Sequence, residues 1–327
     1  LLEDSGYLAR AAYLMDRTMS SVGLSGQSII PMISSFACAV PGIMATRVIP
    51  NRRDRIATIL AAPFMTCSAR LPVYALLIAA FVPATKVGIL NLQGLVLFGL
   101  YLFGIVMGIL TAFLMRKTTL RGPKPPFALM LPEFRRPNLQ TVGIQLLSRA
   151  KIFLRRAGTV IFAVAVIIWA LAYFPRSDEI PANVDENTAA AMQMEQSWLG
   201  RAGKFVEPVF EPLGWDWRVS SAVIASFPAR EVVVAVLGTV YAVGDDADEA
   251  TLSSRLKSAK RPDGSPMFTL PMVIGLLIFY ALCLQCVATL AIIRRETNTW
   301  RWPVFAWTYM TALGYVGALL AYQLGSA

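Results

Sequence analysis

Long apolar runs set between short polar connections organise this chain. Residues 56–82 hold twenty-seven positions with Arg70 as the sole charge, and residues 87–115 hold twenty-nine with none. Runs at 157–175, 219–243, 267–293 and 303–324 continue the series. A membrane-crossing helix needs roughly 20 apolar residues, and these runs lack the two-residue alternation of a barrel strand. Only helices and closed barrels satisfy their backbone in lipid, so the pattern predicts an all-α, polytopic helical membrane protein. One run departs from it. SFACAVPGIMATR at 35–47, between Pro31 and the basic RVIPNRRDR, is too short to span and contains Cys38 and Pro41. It predicts a broken or re-entrant element.

Charge gives the runs a direction. The net charge of +10 over 327 residues could point to nucleic acid, but the excess is local. Residues 116–156 carry ten Lys or Arg against Glu133 alone, which reads as a cytoplasmic loop under the positive-inside rule. No nucleic-acid partner is expected. Residues 176–217 carry eight acids against three bases, which suits the external side. The chain then crosses outward at 157–175 and back at 219–243; in the other direction, 87–115 and 56–82 return NRRDR (51–55) to the cytoplasm. A single span at 267–293 would leave Arg294, Arg295 and Arg301 outside, against the rule.

The sequence contains no histidine. A Ser-His-Asp triad and the HExxH zinc sites are therefore excluded within these residues, and no enzyme activity is expected. A metal here would meet cysteine, methionine, carboxylate, hydroxyl or backbone carbonyl. The four cysteines, Cys38, Cys67, Cys283 and Cys286, all lie in apolar segments, which argues against a secreted disulfide framework. The chain opens on Leu1 in mid-pattern with no visible signal peptide, and reads as a piece whose N-terminal part lies upstream.

Two stretches resemble each other at a shift of 191 residues. Asp16 falls on Glu207, Gly23 on Gly214, Ser35 on Ser226 and Phe36 on Phe227; Cys38 falls on Ala229 and Val40 on Glu231. Beyond a longer connection, FMTCSARL (64–71) faces LQCVATL (284–290), which pairs Cys67 with Cys286. Transporters are commonly built from such repeats, with the substrate site where broken helices meet.

Each candidate has a plainer alternative. Pro41 lacks an N–H and would leave a carbonyl about four residues earlier without a partner, beside the Cys38 thiol; equally, Cys38 is a small buried hydrophobe. Arg70 lies between Pro63 and Pro72. A mid-span charge costs at least about 2.5 kcal/mol, so Arg70 is expected either to pair with Glu231 or Asp16 or to snorkel to an interface. Cys283 and Cys286 in CLQC would share one face of a helix, although a lone CxxC is a weak signal. Glu231 in FPAREVVVAV is a carboxylate before an apolar run, functional by default or else a structural ion pair. Glu3 and Asp4 stand at the incomplete opening. The WDW (215–217) and TWRW (299–302) clusters suit interfacial belts.

LLEDSGYLARAAYLMDR, CAVPGIMATR, RRDRIATILAAPFMTCSARLPVYAL, FLRRAGTVIFA, EPLGWDWR, AREVVVAVLGTVY and CVATLAIIRRET together resemble the membrane domain of ferrous iron transport protein B, with its two Gate motifs. The resemblance implies a first Gate-type repeat at 1–115, the basic loop at 116–156 and a second repeat at 157–327. It implies movement of Fe2+ into the bacterial cytoplasm across the inner membrane. It also implies GTP and Mg2+ handled by a separate G domain of the full-length chain, since no GxxxxGK[ST] loop occurs here. Small cytosolic partner proteins and a homo-oligomer are further implied associations. The family's proposed iron-path cysteines match Cys38, Cys67 and Cys286, to which Cys283, Glu231, Met44 and Met65 are added as candidates. Asp16, Pro41, Arg70, Ser68, Glu3 and Asp4 are candidates for structural or gating roles. One departure stands out: many members place proline before the last cysteine, where this chain has Gln285. A solute permease of the wider Gate group, taking nucleosides for example, is the alternative.

Overall fold

The computed structural model describes residues 6–87, 90–122, 138–175, 186–241, 249–260, 264 and 266–326. Glu3 and Asp4 lie outside the described residues, as do much of the basic loop and residues 176–185 of the acidic one. The architecture is all-α. In chain order the helices are α1 (Tyr7–Ser21), α2 (Ile29–Ser35), α3 (Ala39–Ala45), α4 (Arg52–Ala61), α5 (Leu71–Phe81), α6 (Leu92–Lys117), α7 (Leu139–Phe153) and α8 (Thr159–Tyr173). They continue as α9 (Glu186–Gln196), α10 (Trp198–Phe210), α11 (Trp217–Ala225), α12 (Val232–Val240), α13 (Glu249–Ser258), α14 (Leu270–Leu282), α15 (Val287–Thr297) and α16 (Arg301–Ser326). A two-residue antiparallel ladder, Lys86–Val87 with Leu90–Asn91, turns the chain between α5 and α6.

Among the described residues, four stretches are long and apolar enough to cross a membrane: Arg52–Phe81, Leu92–Lys117, Leu270–Thr297 and Arg301–Ser326. The first and third are broken, by a non-helical step after Phe64 and by residues 283–286. The run at 219–243, expected as a crossing, consists of two short helices, α11 and α12, with a break between them. The segment at 267–293 is likewise not one straight span. Prolines explain where helices start more than where they end. Pro31, Pro41, Pro72, Pro271 and Pro303 all fall within the first three residues of α2, α3, α5, α14 and α16. There the missing N–H would be unpaired in any case.

The chain divides into two compact units: Leu1–Ser68, Tyr101–Val160 and Ala288–Ala306 in the first, and Ala69–Leu100, Ile161–Val287 and Trp307–Ala327 in the second. In the first unit Gly23 turns the chain after α1 with φ +85°, in the left-handed region that suits glycine at a helix end. The Asp16 carboxylate reaches forward to accept the Gly26 N–H at 2.8 Å. The start of α4 is fixed by a buried pair, Asp54 with Arg116 of α6 at 3.2 Å. Arg116 also donates to the Gly23 carbonyl at 2.9 Å. Arg47, just past α3, makes two bonds to Glu296 of α15, at 2.9 and 2.6 Å.

The second unit repeats this design. Gly214 turns the chain after α10 with φ +76°, and Glu207 accepts the Trp217 N–H at 3.1 Å. Donor and acceptor are both displaced by the same 191 positions that relate the two sequences. Asp216 caps α11 through the Val219 N–H at 3.0 Å; burial pushes its carboxyl above the usual carboxylate range, partly offset by that bond. Trp215 is buried and stacks on Phe210, so WDW is a packing and capping element, not an interfacial belt.

Candidate functional site

In the first unit the two thiols sit in two helix breaks that are tied together. Cys38 precedes α3 in extended conformation, φ −159° and ψ 135°. Cys67 lies in the non-helical step between α4 and α5. The Ala37 carbonyl, four residues before Pro41, precedes the N-cap of α3 and lies outside its helix ladder. That carbonyl does not stay free, however: Ser68 donates to it through its N–H at 3.4 Å and its Oγ–H at 3.0 Å. A freed carbonyl ready for a cation, the expectation from the proline, is thus already engaged. Cys38 and Cys67 are both partly exposed.

The second unit carries the equivalent tie. Val287, the residue after Cys286, donates its N–H to the Phe227 carbonyl in the α11–α12 break at 3.3 Å. Residues 283–286 are not helical, so Cys283 and Cys286 do not share a helix face as CLQC suggested. Cys283 is buried and Cys286 partly exposed. Gln285, where the resemblance led to the expectation of a proline, still accompanies a break. Its Oε1 accepts from Ser226 Oγ at 2.9 Å, and its Nε2 donates to the Val223 carbonyl at 3.2 Å. A side-chain amide here fastens the break to the end of α11.

Sequence reasoning missed Arg230. It is 4% exposed and donates to the Tyr280 carbonyl at 2.7 Å and to the Cys283 carbonyl. An arginine at a helix C-terminus satisfies orphan carbonyls and complements the helix dipole. Its neighbour Glu231, the acid singled out from the sequence, is exposed at the start of α12. The pair reverses the expectation, because the buried charge is the base. The signal available was the ARE triplet, in which either charge could have been the buried one.

Arg70 is 1% exposed, which removes the snorkelling alternative. Asp16, offered as its partner, spends its carboxylate on Gly26. Met65 is buried where α6 passes, its methyl against Gly108. A Cβ added at Gly104 would stand 2.7 Å from the Phe64 carbonyl oxygen. This Gly104–Gly108 spacing, a small-xxx-small pattern in an apolar helix, was a second legible signal that went unread. Met44 lines a different space, a cavity shared with Lys151, Arg155 and Arg295.

Among the described residues, no three His, Cys, Asp or Glu side chains converge as a metal-holding cluster. The second unit has a cavity of about 630 Å³ lined by Glu207, Glu211, Asp216, Trp217, Lys260 and Tyr322 among others. Its carboxylates come from the acidic stretch that charge assigned to the external face.

The chain is similar to known proteins over nearly its whole length. The Gate family, described as nucleoside recognition, matches residues 1–81 and 154–300. The family described as ferrous iron transport protein B C terminus matches residues 97–149. A Fe(2+) transporter FeoB of Leptospira interrogans serogroup Icterohaemorrhagiae serovar copenhageni is 40% identical over 326 residues, covering 99% of this chain and 46% of that protein. A Fe(2+) transport protein A/Fe(2+) transporter FeoB fusion protein of Porphyromonas gingivalis is 39% identical over 351 residues, 99% of this chain and 41% of the relative. The Fe(2+) transporter FeoB of Campylobacter jejuni is 35% identical over 324 residues, 99% and 50%. The chain spans about half the length of the curated relatives it matches. No solved structure matches the chain.

Proposed function

The chain belongs to the Gate family, in the form shared with the membrane part of ferrous iron transport protein B, and from that premise we propose that it carries Fe(II) across a bacterial inner membrane. One relationship supports the reading most. In each unit the residue after a break cysteine, Ser68 or Val287, is hydrogen-bonded to a carbonyl of the neighbouring short-helix break, Ala37 or Phe227. Irregular backbone is tolerated at membrane depth only where protein buries it or it lines a cavity. Holding two breaks side by side fixes the thiols of Cys38, Cys67 and Cys286 at irregular backbone, where an ion could exchange water for sulfur.

Fe(II) is a borderline ion that accepts thiolate, thioether and carboxylate ligands. A path must bind it firmly enough to strip water and weakly enough to release it. Part-exposed thiols meet that need, while the carbonyls at the breaks are engaged by Ser68, Val287 and Arg230. Cys283, Glu231, Met65 and Met44 are secondary candidates in this reading. The carboxylates of Glu207, Glu211 and Asp216 would raise the local cation concentration on the entry side. GTP hydrolysis with Mg2+ would be supplied by a G domain of the full-length protein. A partner of the kind fused to the Porphyromonas relative would act from the cytoplasm.

The test is uptake of radiolabelled Fe(II) by proteoliposomes containing the full-length protein, with nucleosides as the competing substrate. Iron uptake that is abolished by Cys38→Ser supports the reading. Nucleoside uptake with no iron uptake supports the other reading, a nucleoside permease, to which the nucleoside recognition of the Gate family points.

A further inference from the structure

The first unit contains a cavity of about 570 Å³ that a cation path does not explain. Its apolar wall includes Val40 and Met44 of α3 and Ile292 of α15, and its charged residues are Lys151, Arg155 and Arg295. No carboxylate lines it. None of the three basic side chains has an ion-pair or hydrogen-bond partner among the described residues. By contrast, neighbouring Glu296 is fully committed to Arg47. Three uncompensated cations repel Fe(II) and attract an anion.

The helix beside the cavity says which kind of anion. α7 leaves Ile144, Leu147 and Leu154, the last just past its end, 70%, 72% and 67% exposed. Leu147, Lys151 and Arg155 follow one another at four-residue steps and Leu154 lies three after Lys151, so cations and exposed aliphatics share one stretch of surface. A helix with an open apolar face flanked by basic residues lies in the membrane interface. Lys151 and Arg155 belong to the ten-cation segment that the positive-inside rule puts in the cytoplasm. Arg295 lines the same cavity, so it belongs to that face too.

We propose that this cavity binds an anionic phospholipid of the cytoplasmic leaflet, its headgroup phosphate held by Lys151, Arg155 and Arg295 and its acyl chains laid along the apolar wall and the exposed face of α7. Basic pockets between membrane helices on the cytoplasmic side hold such headgroups, each Lys or Arg contributing about fivefold in affinity. The occupant would pack on α3, which directly follows Cys38, and so couple lipid composition to that element.

The experiment uses the full-length protein in detergent, titrated with phosphatidylglycerol, phosphatidylcholine and inorganic phosphate and read by native mass spectrometry. The wild type is expected to retain phosphatidylglycerol at least tenfold better than phosphatidylcholine. Lys151→Gln/Arg155→Gln/Arg295→Gln should weaken phosphatidylglycerol on the order of 100-fold, and Ala291→Trp, which fills the apolar wall but keeps every charge, should also displace it. If the triple variant does not elute as a single species, Lys151→Gln/Arg155→Gln is measured instead, with a loss of about 25-fold expected. Wild-type-like binding by the charge variant, equal retention of phosphatidylcholine, or displacement by inorganic phosphate at the same concentration would each overturn the proposal.

Discussion

Ser68 closes the first break onto the second by donating both its N–H and its hydroxyl to the Ala37 carbonyl. The side-chain bond is the separable half. Ser68→Ala removes one bond with a net value of about 1 kcal/mol while the N–H remains. If that bond holds the geometry of the thiols, Fe(II) uptake per inserted protein should fall about fivefold, and Ser68→Thr should restore it. Initial uptake rates at matched membrane abundance check this.

Arg230 and Glu231 are adjacent, yet their substitutions should differ sharply. Arg230→Met strands the Tyr280 and Cys283 carbonyls in a buried setting, which costs about 1–3 kcal/mol for each group left unsatisfied. Glu231→Gln alters an exposed side chain and should shift stability by no more than about 0.5 kcal/mol. Thermal unfolding in detergent, followed by tryptophan fluorescence, should give a clear drop in Tm for the first and little change for the second.

Gly104 and Gly108 face different neighbours, and that sets the order of their sensitivity. A Cβ at Gly104 meets a backbone oxygen at 2.7 Å, whereas at Gly108 its nearest neighbour is the flexible end of Met65 at 2.5 Å. Gly104→Ala should therefore destabilise by about 1–3 kcal/mol and Gly108→Ala by less, with Met65 moving aside. Gly99→Ala, with open space around it, should be neutral or slightly stabilising. The same unfolding measurement ranks the three.

The repeat makes a paired prediction. Asp16→Ala and Glu207→Ala each remove the carboxylate that accepts the N–H three residues after the glycine turn. Each should cost about 1 kcal/mol, as loss of a helix cap does, and the two losses should add. A double variant that loses much more than the sum would show that the turns depend on each other.

Much of the fold was legible because hydrophobic length is a strong signal. The apolar runs marked the membrane stretches, and the 191-residue shift paired Asp16 with Glu207 and Gly23 with Gly214 before any coordinates showed them in matching roles. What stayed hidden depended on partners far along the chain. The proline rule located the Ala37 carbonyl, but nothing local to residue 37 says that Ser68 takes it. The ARE triplet held both charges, and only the carbonyls of Tyr280 and Cys283, some fifty positions away, decide that Arg230 is the one buried. Periodicity could not find the break at 283–286, because Leu284 and Gln285 fit a helix as well as they fit a turn. The break inside 219–243 was hidden for a similar reason: hydropathy does not register the step between Ala225 and Val232.

The central claim is that thiols at paired helix breaks carry the ion. The direct measurement is the initial rate of Fe(II) uptake into proteoliposomes by the full-length protein with Cys38→Ser/Cys67→Ser, normalised to the amount inserted. These serines keep the size and lose the soft ligand, so uptake is predicted to fall at least tenfold with unchanged insertion and Tm. Uptake at the wild-type rate would contradict the account.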